Sequence, residues 1–296
     1  MKIKSAWTRQ IESGQQPSSS ALRDHLDAVH DNNAGFTEAF AWNCRDANGK
    51  NSYELLADIV DLKHHSHVLD LGCGSGVLLD HCNQRFGAEL MLSGVDMNGS
   101  ELKLARERLA NTDTKLHQGT AQNLDFFDDS SFDVIFCHWA LTLMDPVVEV
   151  LSTTKRVLKP RGIFAAIVDG DPKTAPGYVE VHNIIYKHVQ SKYPDYGFFE
   201  LGDPRVRTAV ELQKLTAETF IDFDVDITPI TLSFNAAPSI LAREAAGFFY
   251  ASFVLSPYDF SCMLADLEKY FITKQQDGIS CFTMPVNRLV VRGRGG

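Results

Sequence analysis

No stretch of this 296-residue chain approaches the ~18 consecutive apolar residues that span a bilayer, so no membrane partner is expected. Basic residues are also scarce: 28 Lys and Arg stand against 38 Asp and Glu, a formal net charge of −10. Nucleic-acid backbones are bound chiefly through Lys and Arg, so the acid surplus argues against a nucleic-acid partner and leaves only a local basic patch open. The cysteines, Cys44, Cys73, Cys82, Cys137, Cys262 and Cys281, show neither C-x-x-C nor the Cys/His spacing of a metal site. The expectation is reduced thiols, no metal and a cytoplasmic location. Behind its lysines, the run Met1 to Trp7 lacks the apolar stretch of a secretory leader. Long polar tracts are missing too, and a hydrophobic content of 44% is enough for a sizeable core.

What the chain does have is concentrated in His67-Val68-Leu69-Asp70-Leu71-Gly72-Cys73-Gly74-Ser75-Gly76. Val68, Leu69 and Leu71 read as a buried strand, which three alternate glycines end abruptly, and Val77-Leu78-Leu79 opens a helix. Glycine lets the backbone turn with positive φ and lets a ligand approach closely, and the helix start behind it offers unpaired N–H groups. This is a nucleotide-binding corner. The dinucleotide fingerprint G-x-G-x-x-G needs a glycine where this chain has Val77. Asp70 at the end of the strand would repel a pyrophosphate and attract a cation. Both features disfavour an NAD-dependent oxidoreductase. A second strand over Leu90 to Val95 ends in Asp96, one strand-helix-strand unit on, where a carboxylate can accept hydrogen bonds from ribose hydroxyls.

Val68 to Gly76 resembles the first motif of the class I S-adenosylmethionine-dependent methyltransferases. Gly119-Thr120-Ala121-Gln122 after a third strand, Lys115 to Gln118, is similar to that family's adenine-binding segment. Asp125 to His138 resembles its acidic loop and buried fourth strand, and Leu158-Lys159-Pro160-Arg161-Gly162 its turn into the fifth strand. Pro160 cannot continue a helix, and Gly162 would let the chain reverse. The likeness is close over residues 55 to 170 and diffuse outside. It implies an α/β, Rossmann-like, doubly wound seven-stranded sheet with the last strand antiparallel, and ligands outside the carboxyl ends of the strands. A helical N-terminal lid and helical insertions are expected to cap the active site.

By the same resemblance the cofactor is S-adenosylmethionine, held by Asp70, Gly72, Cys73, Gly74, Gly76, Asp96, Met97, Ala121, Gln122, His138 and Trp139. Ala121 would offer a backbone N–H to the adenine, and Gln122 a side-chain contact to its exocyclic amine. Methyl transfer is displacement at an activated carbon, so positioning dominates and a base is needed only where the acceptor must lose a proton. His138 is the candidate catalytic base if its pKa lies near neutrality, against a role as a hydrogen-bonded strand end. Trp139 would wall the cofactor's methionine portion. Asp169 and His182 are weaker candidates.

The remaining chain divides into an N-terminal lid and linker over 1–50, a cofactor-binding core over 51–170, a substrate-cap insertion over 171–205, and the rest of the sheet with a helical cap over 206–296. Expected helices cover Ser52 to Leu62, Val179 to Gln190, Thr208 to Phe220, Pro238 to Leu255 and Pro257 to Gln275. Ser100 is the expected cap of the helix containing Leu102, Ala105 and Leu109. Tyr178, His182, Tyr186, His188, Tyr193, Tyr196, Phe198 and Phe199 either line a cap over a small organic acceptor or form the insertion's own core. Arg292 to Gly296 reads as a loose tail. The leading function is methyl transfer to an O, N or C atom of a small-molecule acceptor; a non-catalytic cofactor-binding scaffold is the alternative, and a homodimer is left open as the assembly.

Overall fold

The strands of the computed structural model, which describes residues 3–198 and 201–294, are β1 (His67–Leu71), β2 (Met91–Asp96), β3 (Lys115–Gln118), β4 (Phe132–His138), β5 (Leu158–Asp169), β6 (Phe223–Ala236) and β7 (Ser280–Gly293). They form one sheet in the order β3-β2-β1-β4-β5-β7-β6. Neighbours from β3 to β5 are parallel, while β7 runs antiparallel to β5 with Ile163 opposite Arg292 and Asp169 opposite Val286. The order reverses direction between β1 and β4, the switch point where an open α/β sheet leaves a crevice. The seven-stranded, doubly wound expectation holds, with the last strand antiparallel.

β1 and β4 are buried on both faces, which is why their sequences are nearly unbroken apolar runs rather than alternating ones. On one face Leu69, Ile135, Phe164, Ala166 and Leu289 pack with Val150, Leu151, Leu212 and Leu215 of the helices Val147–Val157 and Ala209–Thr219. Phe164 is fully buried and stacks on Phe220 with ring centroids 6.0 Å apart. Phe164→Ala is expected to cost about 3–5 kcal/mol, read as a lower midpoint of urea unfolding. At the amino end of the sheet the Asp133 carboxylate accepts hydrogen bonds from the N–H groups of Ser66 and His67 and from Lys159 Nζ. Burial would raise its pKa, but these donors outweigh it and bring the pKa down to about 2.

The chain gathers into two compact units. One holds Ser52–Gly170, Leu201–Ile230 and Val286–Gly296, and contains every cofactor residue expected from the sequence. The other holds Met1–Asn51, Asp171–Glu200 and Thr231–Pro285, and is mainly helical, with Ser19–Asn33, Tyr178–Gln190 and Pro257–Lys274 its longest helices. In it Trp7 stacks on His25 and meets Tyr196 edge-on, and Tyr178 stacks on Phe282. Tyr193 and Tyr196 are buried while Phe198 is exposed, so several aromatics of 171–205 build this unit's own core. Phe199 lies outside the described residues. Among the described residues no helix is long and apolar enough to cross a membrane.

Several boundaries differ from the sequence reading. The first expected core helix is only Ser52–Ala57, because Ile59 and Val60 continue in tighter i−3 turns and the Asp61 side chain bonds the Lys63 N–H and the His64 ring. The helix from Pro238 stops at Phe248, just past Gly247, and Tyr250–Val254 is a 3₁₀ segment. Asn98, not Ser100, caps Gly99–Arg108: its side chain accepts the Glu101 N–H at 2.8 Å. Gly162 keeps an ordinary φ; it is needed for space, since a Cβ there would lie 2.6 Å from Leu158 Cδ1. Arg292 and Gly293 extend β7, and Arg294 pairs with Asp224, so the tail is tied as far as residue 294. Gly295 and Gly296 lie outside the described residues.

Candidate functional site

The carboxyl ends of β1, β2, β4 and β5 bring Asp70, Asp96, His138 and Asp169 to one edge of the sheet. After β1 the backbone turns through Gly72, Gly74 and Gly76 with φ of 73°, 49° and 79°, a left-handed region where side chains are strained. Gly72 is also held by space, since a Cβ would lie 2.6 Å from that of Ala140. The turn is anchored from three sides. Gly72 and Cys73 donate N–H bonds to the Val95 carbonyl at 2.8 and 3.0 Å, Gly74 N–H donates to Asp96 Oδ2 at 2.8 Å, and Arg108 donates to the Ser75 carbonyl.

Asp70 is 1% exposed, and its Oδ1 is buried with no hydrogen-bond partner. Burial first, and the neighbouring Asp96 carboxylate second, push its pKa up to about 8. By itself Asp70 is therefore largely protonated at neutral pH, and the attraction for a cation expected from the sequence operates only as the cation draws the proton off. Cys73 is buried, with its thiol donating weakly to the Gly74 carbonyl at 3.8 Å and packed against Gly94, where an added Cβ would lie 2.8 Å from its Sγ. Burial raises the thiol pKa of Cys73 well above its ordinary value.

Asp96 is half-buried, and its two oxygens accept from Gly74 and Asn98 N–H, each at 2.8 Å. A carboxylate oxygen has two lone pairs, so accepting one backbone N–H does not by itself exhaust it. Met97 follows, half-buried, with its carbonyl accepting from Gln118. Ala121 is buried and its carbonyl accepts the Thr153 hydroxyl, which fixes the peptide between Ala121 and Gln122. Gln122 donates its side-chain amide N–H to the Asp145 carbonyl at 3.1 Å, so its amide oxygen is the group left to face an amine. The glycine turn, Asp96, Met97, Ala121 and Gln122 thus belong to neighbouring strand ends of one unit.

His138 differs from the expectation. Its Nε2 is bonded to Ser52 Oγ at 2.8 Å and its ring stacks on Tyr53 at 4.2 Å. Desolvation lowers its pKa to about 3, so the near-neutral value on which a base role depended is not what this environment gives. Trp139 packs beside it, 4.9 Å between centroids, in a left-handed conformation (φ 52°) held by its N–H bond to the Ile167 carbonyl. Asp169, closing β5, has its pKa raised by burial, partly offset by Arg207. His182 is in the other unit, stacked on Tyr186. Among the described residues no group of three or more His, Cys, Asp or Glu is placed to hold a metal ion.

The sequence reading missed Ser52, Tyr53, Gly94 and Asn98. Only Asn98 left a trace, the N-x-x-E spacing of a helix cap to Glu101. The others matter through contacts between elements distant in the chain.

Residues 68–162 match the family described as Methyltransferase domain. Among curated proteins, the demethylmenaquinone methyltransferase of Listeria monocytogenes is 31% identical over 137 residues, 45% of this chain and 56% of that one. The chain thus spans about half the length of such a relative. The YcgJ protein of Bacillus subtilis shares the fold with a TM-score of 0.56 at 20% identity, covering 83% of this chain and 99% of that one. The phosphoethanolamine N-methyltransferase 2 of Haemonchus contortus, solved in complex with S-adenosyl-L-methionine, does so with a TM-score of 0.53 at 18% identity, covering 93% and 60%.

Proposed function

We propose that this chain, which matches the Methyltransferase domain family over residues 68–162, is a class I methyltransferase that transfers a methyl group from S-adenosylmethionine to an O, N or C atom of a small-molecule acceptor. The observation that carries this reading is the pairing of a buried, unpartnered Asp70 oxygen with a left-handed glycine turn bonded to Asp96. An orphaned buried carboxylate oxygen suits a cationic ligand, and the glycines supply a cradle that a Cβ would fill.

When bound, S-adenosylmethionine supplies a methyl group already activated by its sulfonium. The protein's contribution is then position. Asp96 and the glycine turn would hold the ribose and the adjoining chain, Ala121 N–H and the Gln122 amide oxygen the adenine, and Met97 its edge. Trp139 and His138 would wall the methyl-donor side, with the imidazole neutral and fixed by Ser52 and Tyr53. A neutral imidazole of pKa about 3 orients groups better than it removes protons, so His138 is assigned a positioning role. Acceptor selection is assigned to segments outside the matched family domain, residues 1–50 and 171–205. That the relative from Listeria is named a demethylmenaquinone methyltransferase favours an organic, non-polymeric acceptor. Six free cysteines, four of them buried, favour a reducing, cytoplasmic setting.

Calorimetric titration with S-adenosylmethionine, S-adenosylhomocysteine and NAD in parallel tests the donor site. Micromolar binding of the first two without NAD is expected. Binding of NAD alone, or of none, would overturn the proposal.

A further inference from the structure

The net charge of −10 hides one basic cleft. It has a volume of about 500 Å³ and lies in the sheet unit. Side chains alternate along a strand, so Arg288, Val290 and Arg292 share one face of β7, with Arg292 opposite Ile163 on β5 and Arg161 two residues before it. Leu55 and Ile59, from the segment that begins with the helix Ser52–Ala57, form an apolar wall. The cleft extends toward the amino ends of the parallel strands, away from Asp70, Asp96 and the glycine turn at their carboxyl ends.

Three observations point to an anion as its ligand. None of Arg161, Arg288 and Arg292 is in an ion pair among the described residues, whereas the two acids lining the cleft are engaged, Asp58 with Arg85 and Asp61 with His64. Arg288 Nε is buried with no hydrogen-bond partner, a state that proteins seldom leave uncompensated. His65, 9% exposed, accepts the Asp61 N–H at Nδ1, so in the neutral ring Nε2 carries the proton and is a donor.

We propose that this cleft is a second ligand site, for a small organic anion whose phosphate or carboxylate head meets the three arginines and whose apolar body lies on Leu55, Ile59 and Val290. Guanidinium forks match both kinds of head, and the volume is that of a metabolite site. The site is independent of the methyl-transfer reading, since it shares no residue with the donor site.

The test is titration with 1-naphthyl phosphate, 1-naphthoate and uncharged 1-naphthol at low ionic strength, with and without S-adenosylhomocysteine. Binding of either anion, no binding of naphthol, and indifference to S-adenosylhomocysteine are expected. A preference between the two anions identifies the head. Arg161→Gln and Arg292→Gln should each weaken the anion about tenfold, and Arg288→Gln more. Both Arg161 and Arg292 are exposed, so the test stands even if Arg288→Gln fails to fold. Absence of anion binding, equal binding of naphthol, affinity unmoved by the substitutions, or competition by S-adenosylhomocysteine would each overturn the proposal.

Discussion

Asp96→Ala is expected to weaken S-adenosylmethionine binding by about 1.5–3 kcal/mol, roughly 10- to 150-fold in Kd, measured by calorimetry on protein shown to be folded. Two losses combine in that figure. The first is direct, since the carboxylate is a charged acceptor for ribose hydroxyls and such bonds are worth more than neutral ones. The second runs through the turn, because Asp96 Oδ2 accepts the Gly74 N–H and Oδ1 the Asn98 N–H. Without those acceptors the glycine turn loses one of its anchors to β2, the bonds of Gly72 and Cys73 N–H to the Val95 carbonyl remaining. Asp96→Asn separates the two. Its amide oxygen still accepts one backbone N–H, but its NH₂ faces another donor, so the turn is half restored while the charge is gone. Asn is expected to recover part of the thermal stability lost in Ala and little of the affinity. An Asp96→Ala protein that is folded and binds within twofold of the parent would remove Asp96 from the ribose site.

What could be read beforehand divides by the range of the interactions involved. The parallel sheet was legible because strands buried on both faces must be apolar almost throughout, as in Val68 to Leu71 and Phe132 to Cys137, each interrupted by a single aspartate. The glycine turn was legible because Gly72, Gly74 and Gly76 all need positive φ. The fine ends were not. The helix from Ser52 ends at Ala57 where β-branched Ile59 and Val60 tighten the chain and Asp61 binds the backbone beyond, a local competition that apolar spacing does not register.

His138 is the clearest case of the second kind. Its place at the end of β4 could be read, and its chemistry could not. A pKa of about 3 follows from desolvation in a pocket to which Ser52 and Tyr53 contribute, 85 or more residues away along the chain. The same holds for Asp70, read as an anion and found buried beside a second carboxylate. Residue type gives the candidate; packing gives its charge.

Asp70 therefore supplies the second large effect, which appears as pH dependence. In the ligand-free protein its pKa is raised to about 8, against about 3.9 for an exposed aspartate in the unfolded chain. Between those values the folded state holds a proton that the unfolded state has released, so this group's contribution to stability falls as pH rises from about 4 to about 8. Asp70→Asn removes the penalty, and the ligand-free variant is expected to be more stable than the parent by about 1–3 kcal/mol at pH 8, with the difference vanishing below pH 4. Binding moves the other way. A cationic ligand favours the ionised carboxylate, so below pH 8 binding must expel the proton, and Kd should fall by up to about tenfold per pH unit until it levels off above pH 8. The ligand's own amino group titrates nearby, and comparison with Asp70→Asn cancels it. The variant should bind more weakly at pH 8 and lack the Asp70-dependent part of the slope. Parallel pH profiles for parent and variant would show that Asp70 does not face the cation, and that its buried charge is a structural feature of the turn alone.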